Sequence, residues 1–209
     1  MRPANNGQAY RLKRILNMKL AIGIATTGGI KTKTFVSVMK LVKKDPDNTF
    51  VIAWEGCNVH QARINIVKES QKYDCTHLLF IDSDMVFESD IAERLLARDK
   101  DIIGVNSMVR QLPLTSTVKI HNEKGEKIYE MLDDLFECQA VGTGIMLIKM
   151  SVFDKLPRPW FFYEQDENGD LKTGSDMWFC NKAKEVGFKI WCDPTINVGH
   201  IGDFVYGLQ

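Results

Sequence analysis

The chain has 209 residues, of which 44% are hydrophobic and 26% are charged, as is ordinary for a globular protein with one large core. Its 27 basic and 27 acidic residues cancel, so the overall charge gives no reason to expect a nucleic acid or an anionic membrane as partner. No apolar run approaches the ~18 residues of a membrane-spanning helix, and no apolar segment near the N-terminus suggests a secretory signal peptide.

Residues 1–17 are polar and basic, and they predict a flexible basic leader before the first strand. Met18 is a second candidate for the first residue of the protein. The cysteines are odd in number and lack the spacing of a metal site, which predicts reduced, mostly buried thiols and a cytoplasmic protein. They are Cys57, Cys75, Cys138, Cys180 and Cys192.

A first strand is predicted from Lys19 to Ala25, and a helix with one apolar stripe is predicted from about Thr32 to Val42. The loop between them contains Thr26, Gly28 and Gly29. Glycines let the backbone approach a ligand closely, and a helix N-terminus favours an anion, although a simple strand-to-helix turn fits equally well. The Lys and Ser/Thr of a phosphate-binding P-loop are absent here, which argues against an NTPase.

The second unit consists of a strand from Thr49 to Trp54 and a helix from about Val59 to Tyr73. Arg63 lies near the start of this helix, on the side that faces the carboxyl edge of the sheet. A guanidinium there can pair with a carboxylate or with a diphosphate. The alternative is an ordinary solvated arginine on a helix surface.

The most informative stretch is the apolar run from Leu78 to Ile81 followed by Asp82, Ser83 and Asp84. The run predicts a strand buried on both faces, and the spacing aims both carboxylates to the same side. Two close anions repel each other unless a positive charge lies between them, and a divalent cation shared with phosphates is the commonest solution. The alternative is an acidic turn that caps the next segment.

The first half ends with a helix capped by Ser89-Asp90, running to about Arg98, and a strand from Asp101 to Asn106. Strands that alternate with helices in this way predict an α/β fold with a mainly parallel sheet and helices on both faces.

The second half has a mixed character. A hairpin is predicted between Thr115–Ile120 and Lys127–Met131, and a further strand is predicted over Phe136–Val141. Glycines 142 and 144 precede the apolar run 145–148, and they allow close approach of a ligand or of a crossing strand.

An aromatic cluster around Trp160 precedes a polar loop, and it fits either an acceptor platform or core packing. Ser175 is predicted to cap the last long helix, which places Asp176 in the first turn, where the positive end of the helix dipole favours a negative charge. His200 lies near the end of the chain; a single histidine is usually structural, unless other metal-binding residues are close to it.

These segments, in this order, resemble the GT-A class of nucleotide-sugar-dependent glycosyltransferases, especially the small single-domain enzymes of viruses, phages, bacteria and archaea. The resemblance runs from Lys19 to about Gly202. The matching segments are 25–29, 62–65, Asp82-Ser83-Asp84, 101–104, 141–148, 175–180 and 187–200.

The resemblance implies a role for each matching residue. Asp84 and His200, with Asp82 in or near the metal shell, would bind Mn²⁺ or Mg²⁺ that bridges the diphosphate of the donor. Asp176 would be the base of an inverting reaction. The contacts to the nucleotide sugar would come from Thr26, Gly28, Arg63, Asp82, Ser83 and Asp84, and the acceptor contacts from Gly144, Trp160, Ser175 and Trp178.

One departure from the family leaves the acceptor open. The family commonly has Glu-Asp where this chain has Ser175-Asp176, so one acceptor-binding carboxylate is missing and the inverting outcome is open as well. The implied domain is a single GT-A-like unit over residues 18–209, with a nucleotide-binding half to residue 110 and an acceptor-binding half from residue 111.

The expected function is transfer of a sugar from a nucleoside-diphosphate donor, with UDP preferred, to a hydroxyl of a glycan or a related acceptor, a modified nucleobase included. The expected location is the cytoplasm, of the host if the protein is viral. Two rivals stay open: a phosphohydrolase, because 82–86 reads Asp-Ser-Asp-Met-Val, and a catalytically inactive glycan-binding protein.

Overall fold

The computed structural model describes residues 18–110, 115–121, 127–128 and 133–202. The predicted leader, residues 1–17, and the turn of the predicted hairpin lie outside the described residues. Within those ranges, a seven-stranded sheet is flanked by helices, and three two-stranded ribbons lie beside it. No helix among the described residues is long and apolar enough to cross a membrane.

The helices and strands follow each other much as the sequence predicts. The helices are α1 (Thr32–Val42), α2 (Val59–Lys72), α3 (Ile91–Ala97), α4 (Ser151–Lys155) and α5 (Ser175–Glu185). The strands of the large sheet are β1 (Leu20–Ala25), β2 (Thr49–Trp54), β3 (His77–Ile81), β5 (Ile102–Val105), β8 (Phe136–Cys138), β9 (Ile145–Lys149) and β12 (Ile190–Asp193). The ribbons are formed by β4 (Met85–Val86) with β13 (Gly199–His200), β6 (Ile120–His121) with β7 (Lys127–Ile128), and β10 (Glu164–Gln165) with β11 (Leu171–Thr173).

The strand order of the large sheet is β2-β1-β3-β9-β5-β12-β8. Strands β1, β2, β3, β5 and β12 run in one direction, whereas β9 and β8 run against their neighbours. The prediction of an α/β domain with a mostly parallel sheet and a partly antiparallel later half is therefore confirmed.

The position of β9 differs from the expectation that the strands of the first half lie side by side. Strand β9 is inserted between β3 and β5 and is antiparallel to both, so that Phe80 pairs with Met146 and Ile103 with Leu147. Four of its five residues are buried and apolar, as a strand with neighbours on both edges and cover on both faces requires. The two halves of the chain thus share one sheet.

The core lies on both faces of the sheet because side chains alternate along each strand. In β3, Leu78 and Phe80 point to the layer that contains Ile66 of α2 and Phe179 of α5. The intervening residues Leu79 and Ile81 point to the opposite layer, with helices α1 and α3. The central strand therefore ends in a rigid frame, which fixes the backbone of the turn that follows.

Helix α5 is positioned by a stack of aromatic rings. Phe161 packs against Phe179 of α5 with ring centroids 5.0 Å apart, and it meets Phe80 of β3 edge-on at 5.4 Å. Both Phe161 and Phe179 are fully buried. This packing fixes the N-terminus of α5 relative to the end of β3.

The ribbon of β4 and β13 brings the end of the described chain to its middle. Strand β4 begins directly after Asp84, and its Met85 pairs with His200 of β13. The backbone N–H of Ile201 also donates to the carbonyl of Asp84, at 2.8 Å. His200, which is 116 positions after Asp84 in the sequence, is thereby placed beside it.

All five cysteines are free thiols, and Cys57 alone among them is only half-buried. Burial raises the pKa of the Cys180 and Cys192 thiols to about 12, and it also raises the pKa of Cys75 and Cys138. The expected reduced and mostly buried thiols are confirmed.

Candidate functional site

The turn Asp82-Ser83-Asp84 lies at the carboxyl end of the central strand β3. The N–H of Asp82 donates to the carbonyl of Gly144 on the neighbouring chain segment, at 2.9 Å, and the N–H of Met85 closes the turn onto Asp82 at 3.2 Å. The carbonyl of Ser83 accepts a hydrogen bond from the N–H of Lys31, at 2.8 Å. The turn is therefore joined directly to the start of α1 and to the glycine loop before it.

In that loop the hydroxyl of Thr26 is used internally. Thr26 Oγ1 donates to the carbonyl of Gly29 at 2.6 Å and accepts from the N–H of Gly28 at 3.3 Å. Gly29 has a φ of +101°, which glycine adopts without strain. Thr26 thus shapes the loop, and the exposed backbone around Gly28 is the surface that the loop presents.

Asp82 faces a buried arginine from α2. Arg63 Nη2 lies 3.3 Å from Asp82 Oδ1, and Arg63 Nη1 donates to the hydroxyl of Ser175 on α5. The Arg63 side chain is 8% exposed, whereas that of Asp82 is 35% exposed. Arg63 therefore connects three elements and neutralises the charge of Asp82 from the protein side.

The predicted cap at Ser175 is wrong. Gly174 is the N-cap of α5, and Ser175 is the first helical residue. Its hydroxyl accepts from Arg63 instead, and the residue is 1% exposed. Ser175 is therefore buried behind Asp82 and Arg63, and its role as an acceptor contact stays a prediction.

Asp84 faces two other groups. Its Oδ1 lies 3.2 Å from His200 Nε2, and its Oδ2 lies 2.8 Å from Arg110 Nη1. His200 Nδ1 lies 2.8 Å from the carbonyl of Met108, and because a carbonyl only accepts, this nitrogen carries a proton. Nε2 is then the ring nitrogen that faces Asp84, where an imidazole lone pair can bind a metal ion.

A cleft of about 480 Å³ opens beside this pair. The hydroxyl oxygen of Thr117, on the cleft wall, lies 3.0 Å from that of Ser107, two residues after β5. The residues that line the cleft are Val109, Arg110, Thr117, His200 and Gly202. It is large enough for part of a nucleotide or sugar, and it carries a cation and an imidazole on its wall.

Asp176 lies near the wall of the same cleft. Its Oδ1 accepts from the N–H of Met177 at 2.9 Å, within the first turn of α5. A methyl group built on Gly142 would lie 3.7 Å from Asp176 Oδ2 and 3.4 Å from Cβ of Thr117. Gly142 thus separates Asp176 from a residue that lines the cleft.

Gly144 lies in the same way beside Asp82, on the other side of the site. A methyl group built on it would lie 3.6 Å from Asp82 Oδ2 and 3.7 Å from Ser107 Oγ. The two glycines after Val141 therefore keep open the space next to the carboxylates, as their close-approach role predicts.

The two tryptophans predicted to bind an acceptor lie in different environments. Trp160 is 2% exposed, donates from Nε1 to the carbonyl of Leu156 and packs edge-on against Phe153. Core packing, the alternative that the sequence left open, accounts for it, and the structure does not bring it to the site. Trp178 is half-buried on α5, two residues after Asp176.

Trp178 belongs to an aromatic group on the surface. Its ring centroid lies 5.2 Å from that of Phe162, which is 42% exposed. Tyr163 is 37% exposed, and its ring meets that of His60 at 5.1 Å. These four rings form one partly exposed surface beside the N-terminus of α5.

Comparison with known proteins relates the chain to solved structures. No protein-family model matches it, and no curated protein matches its sequence. A197 from STIV superimposes with a TM-score of 0.63 at 18% identity, over 89% of this chain and 87% of that one. GalNAc-T7, crystallised with UDP, GalNAc and Mn²⁺, superimposes with a TM-score of 0.56 at 14% identity, over 90% of this chain.

The chain has the GT-A fold. S. aureus TarS 1–349 is a third similar structure, with a TM-score of 0.52 and 14% identity over 88% of this chain. The match covers 44% of the GalNAc-T7 chain and 60% of the TarS chain, so this GT-A domain corresponds to only part of either structure. The predicted resemblance is confirmed at the level of the fold.

The metal-binding capacity of this GT-A domain can be judged from its donor atoms. Among the described residues no group of three or more His, Cys, Asp or Glu side chains could hold an ion. Asp84 and His200 supply two facing donors. Two protein ligands suit a cation that takes its other ligands from a diphosphate and from water, as Mg²⁺ usually does.

Arg110 and Thr117 line the cleft, and the sequence did not single them out. Both lie in connections after β5 and have no periodic or motif context, so nothing local distinguishes them. The one available signal was positional, because Arg110 follows the carboxyl end of a strand in an α/β sheet, where ligands bind.

Proposed function

We propose that the protein is a metal-dependent glycosyltransferase that moves a sugar from a nucleoside-diphosphate donor, with UDP preferred, to a hydroxyl of a glycan or a related acceptor. The observation that carries this proposal is the pair of Asp84 and His200, 3.2 Å apart beside the cleft of a GT-A domain. The UDP and Mn²⁺ present in the GalNAc-T7 crystal support the choice of donor and cation.

The donor site is assigned to the carboxyl edge of the sheet. Asp84 and His200 would hold Mn²⁺ or Mg²⁺, which would stabilise the negative charge of the leaving diphosphate. Arg63 fixes one oxygen of Asp82 and leaves the other, near Gly144, for a ribose hydroxyl. Ser83 and the exposed backbone around Gly28 complete the contacts to the nucleotide.

The transfer step is assigned to Asp176. The acceptor oxygen forms a bond to the anomeric carbon while the bond from that carbon to the diphosphate breaks, and Asp176 takes the proton of the acceptor hydroxyl. Attack from the face opposite the diphosphate inverts the anomeric centre. The position of Asp176 near Gly142 and the cleft wall supports this role.

The acceptor is assigned to the side of the cleft next to α5. The half-buried ring of Trp178, with the exposed faces of Phe162 and Tyr163, is suited to packing against the apolar face of a sugar or a base. Gly142 leaves space beside Asp176 on this side, whereas Gly144 leaves space on the side of Asp82. Trp160 and Ser175 are buried and would support this surface from behind.

The experiment is to incubate the protein with Mn²⁺ and a panel of nucleotide sugars and to follow free nucleoside diphosphate. The wild-type protein should release it slowly by hydrolysis and faster with an acceptor, and Asp84→Asn should reduce the rate at least ~100-fold. Asp47→Asn, which removes an exposed carboxylate from a surface turn, is the matched control and should match the wild type.

Other outcomes identify the rival functions. Release of inorganic phosphate from simple phosphomonoesters would make the protein a phosphohydrolase. Glycan binding without any turnover would make it a binding protein.

A further inference from the structure

Arg110 is a cation at the donor site that no part of the proposed transfer reaction uses. Its Nη1 lies 2.8 Å from Asp84 Oδ2, the carboxylate assigned to the metal. Its side chain is 51% exposed, and it lines the 480 Å³ cleft together with His200. The guanidinium is therefore in contact with the proposed metal ligand and faces the space where the donor would bind.

A guanidinium and a divalent cation cannot both be close to Asp84 without repelling each other. Half of the Arg110 side chain is in solvent. A partly exposed ion pair of this kind is weak, so little free energy opposes a change of partner. Its planar fork also matches phosphate oxygens, which it binds through two parallel hydrogen bonds.

We propose that Arg110 is a ligand of the donor diphosphate, and that in the donor-free protein it neutralises Asp84 in the place of the divalent cation. Donor binding moves the guanidinium from the carboxylate to a diphosphate oxygen and frees Asp84 for the cation. The inference rests on the proposed function, since it assumes a diphosphate in this cleft.

The exchange has a consequence for the order of binding. Arg110 weakens the binding of the cation alone, because the cation must displace it from Asp84. It strengthens the binding of the cation with a diphosphate, because the displaced guanidinium then has an anionic partner. The protein therefore takes up cation and donor together, and the cation alone only weakly.

The first half of the test measures Mn²⁺ alone, by the electron paramagnetic resonance signal of the free ion. Arg110→Gln should bind Mn²⁺ about 5-fold more tightly than the wild type, because a competing positive charge is gone. Arg94→Gln removes the same charge from a surface helix, where Arg94 donates to Thr195, and should leave the affinity unchanged.

The second half measures UDP and inorganic pyrophosphate by calorimetry in saturating Mn²⁺. Arg110→Gln should weaken both about 10-fold, since a charge-assisted bidentate contact is lost. Arg110→Lys keeps the charge but not the planar fork, and its affinities should lie between those of the wild type and Arg110→Gln. Equal losses for UDP and pyrophosphate place the contact on the diphosphate and not on the nucleoside.

The inference requires that Arg110→Gln binds Mn²⁺ more tightly and binds UDP and pyrophosphate more weakly than the wild type. If both affinities fall, Arg110 merely supports the structure of the site, and if neither changes, the contact with Asp84 has no role; either result overturns the inference. A tighter metal with unchanged UDP, or a weaker UDP with unchanged metal, overturns it as well. A thermal melt of each variant separates these effects from a loss of folding.

The wild type separates this inference from the proposed function. If it binds no nucleoside diphosphate and no pyrophosphate in the presence of Mn²⁺, the proposed function fails, and the inference fails with it. A different set of results would show that the inference alone is wrong. In that case the wild type binds UDP, Asp84→Asn loses the dependence of UDP binding on Mn²⁺, and Arg110→Gln binds Mn²⁺ and UDP like the wild type.

Discussion

The two carboxylates of the Asp82-Ser83-Asp84 turn each face one arginine, but the arginines lie in very different surroundings. Arg63 is 8% exposed and is held by both Asp82 and Ser175. Arg110 is 51% exposed and contacts Asp84 beside an open cleft. The first pair is part of the frame of the site, whereas the second pair can exchange partners. The proposed donor site thus combines one buried and one exposed arginine.

Removing the buried arginine is expected to have the largest effect. Arg63→Met leaves Ser175 and Asp82 without their partner and should lower the free energy of unfolding by about 2–3 kcal/mol, since one member of a largely buried ion pair is lost. For a chain of this length that corresponds to a melting temperature lower by about 5–10 °C. Arg110→Met, the matched change on the open side, should cost less than about 1 kcal/mol. Equal shifts in the two melting curves would remove the distinction between the pairs.

The next effect concerns Asp176, which lies beside the buried pair. Asp176→Asn should lower turnover at saturating donor about 100-fold, because the acceptor hydroxyl loses its base, while the affinity for UDP stays unchanged. Asp84→Asn on the open side should lower both quantities. Steady-state kinetics together with calorimetry distinguish the two patterns. Near wild-type turnover of Asp176→Asn would show that the base is another residue.

A buried carboxylate outside the site, Asp193, tests whether buried ion pairs stabilise the fold in general. Asp193 is 1% exposed, and Arg98 Nε lies 2.7 Å from its Oδ2. Burial opposes the charge, but the hydrogen bonds from Arg98 and Thr195 outweigh burial and lower the pKa of the Asp193 carboxyl. A lowered pKa in the folded state means that this stabilisation is complete above the unfolded pKa, near ~3.9, and is lost as the pH falls through the folded value.

Asp193→Asn should accordingly reduce the free energy of unfolding by about 2 kcal/mol at pH 7, and the difference from the wild type should shrink as the pH falls below ~4. Urea unfolding at a series of pH values measures it. Asp134→Asn is the matched control, because Asp134 lies 3.6 Å from the same arginine but is 82% exposed. A difference that grew on acidification would contradict the assigned sign.

The smallest expected effect is a difference in the reactivity of buried and half-buried cysteine thiols. Cys57 is the one half-buried thiol, and the other four are buried with raised pKa values. A thiol reagent should therefore modify one cysteine quickly in the native protein, and none in Cys57→Ser. Rapid reaction of a second thiol would show that the core opens readily.

The sequence predicts the fold well wherever local patterns decide it. The apolar run before Asp82 specifies a buried strand with carboxylates at its end, and α1 and β2 have the bounds that were predicted. The insertion of β9 between β3 and β5 was not predictable in this way. Strand neighbours depend on contacts distant in sequence, and a short apolar run fits any central place in a sheet.

The site shows the same limit at the level of side chains. The resemblance predicted that Asp84 and His200 meet, and they lie 3.2 Å apart because β4 pairs with β13. Ser175 fits a helix cap by residue type, yet the charge of Arg63 is a stronger partner for its hydroxyl than the helix end. A tryptophan such as Trp160 is suited both to a core position and to a binding surface, and one sequence does not show which of the two it occupies.

The ribbon of β4 and β13 has a consequence for how long an ion would stay bound. Strands of two residues share few hydrogen bonds, so the ribbon can open at a small fraction of the free energy of global unfolding. His200 lies on this ribbon, and each opening would remove one of the two protein ligands proposed for the cation. The time that the ion stays bound would then depend on the rate at which the ribbon opens. Deuterium uptake at the backbone amide of Ile201, which donates to the carbonyl of Asp84, would measure that rate.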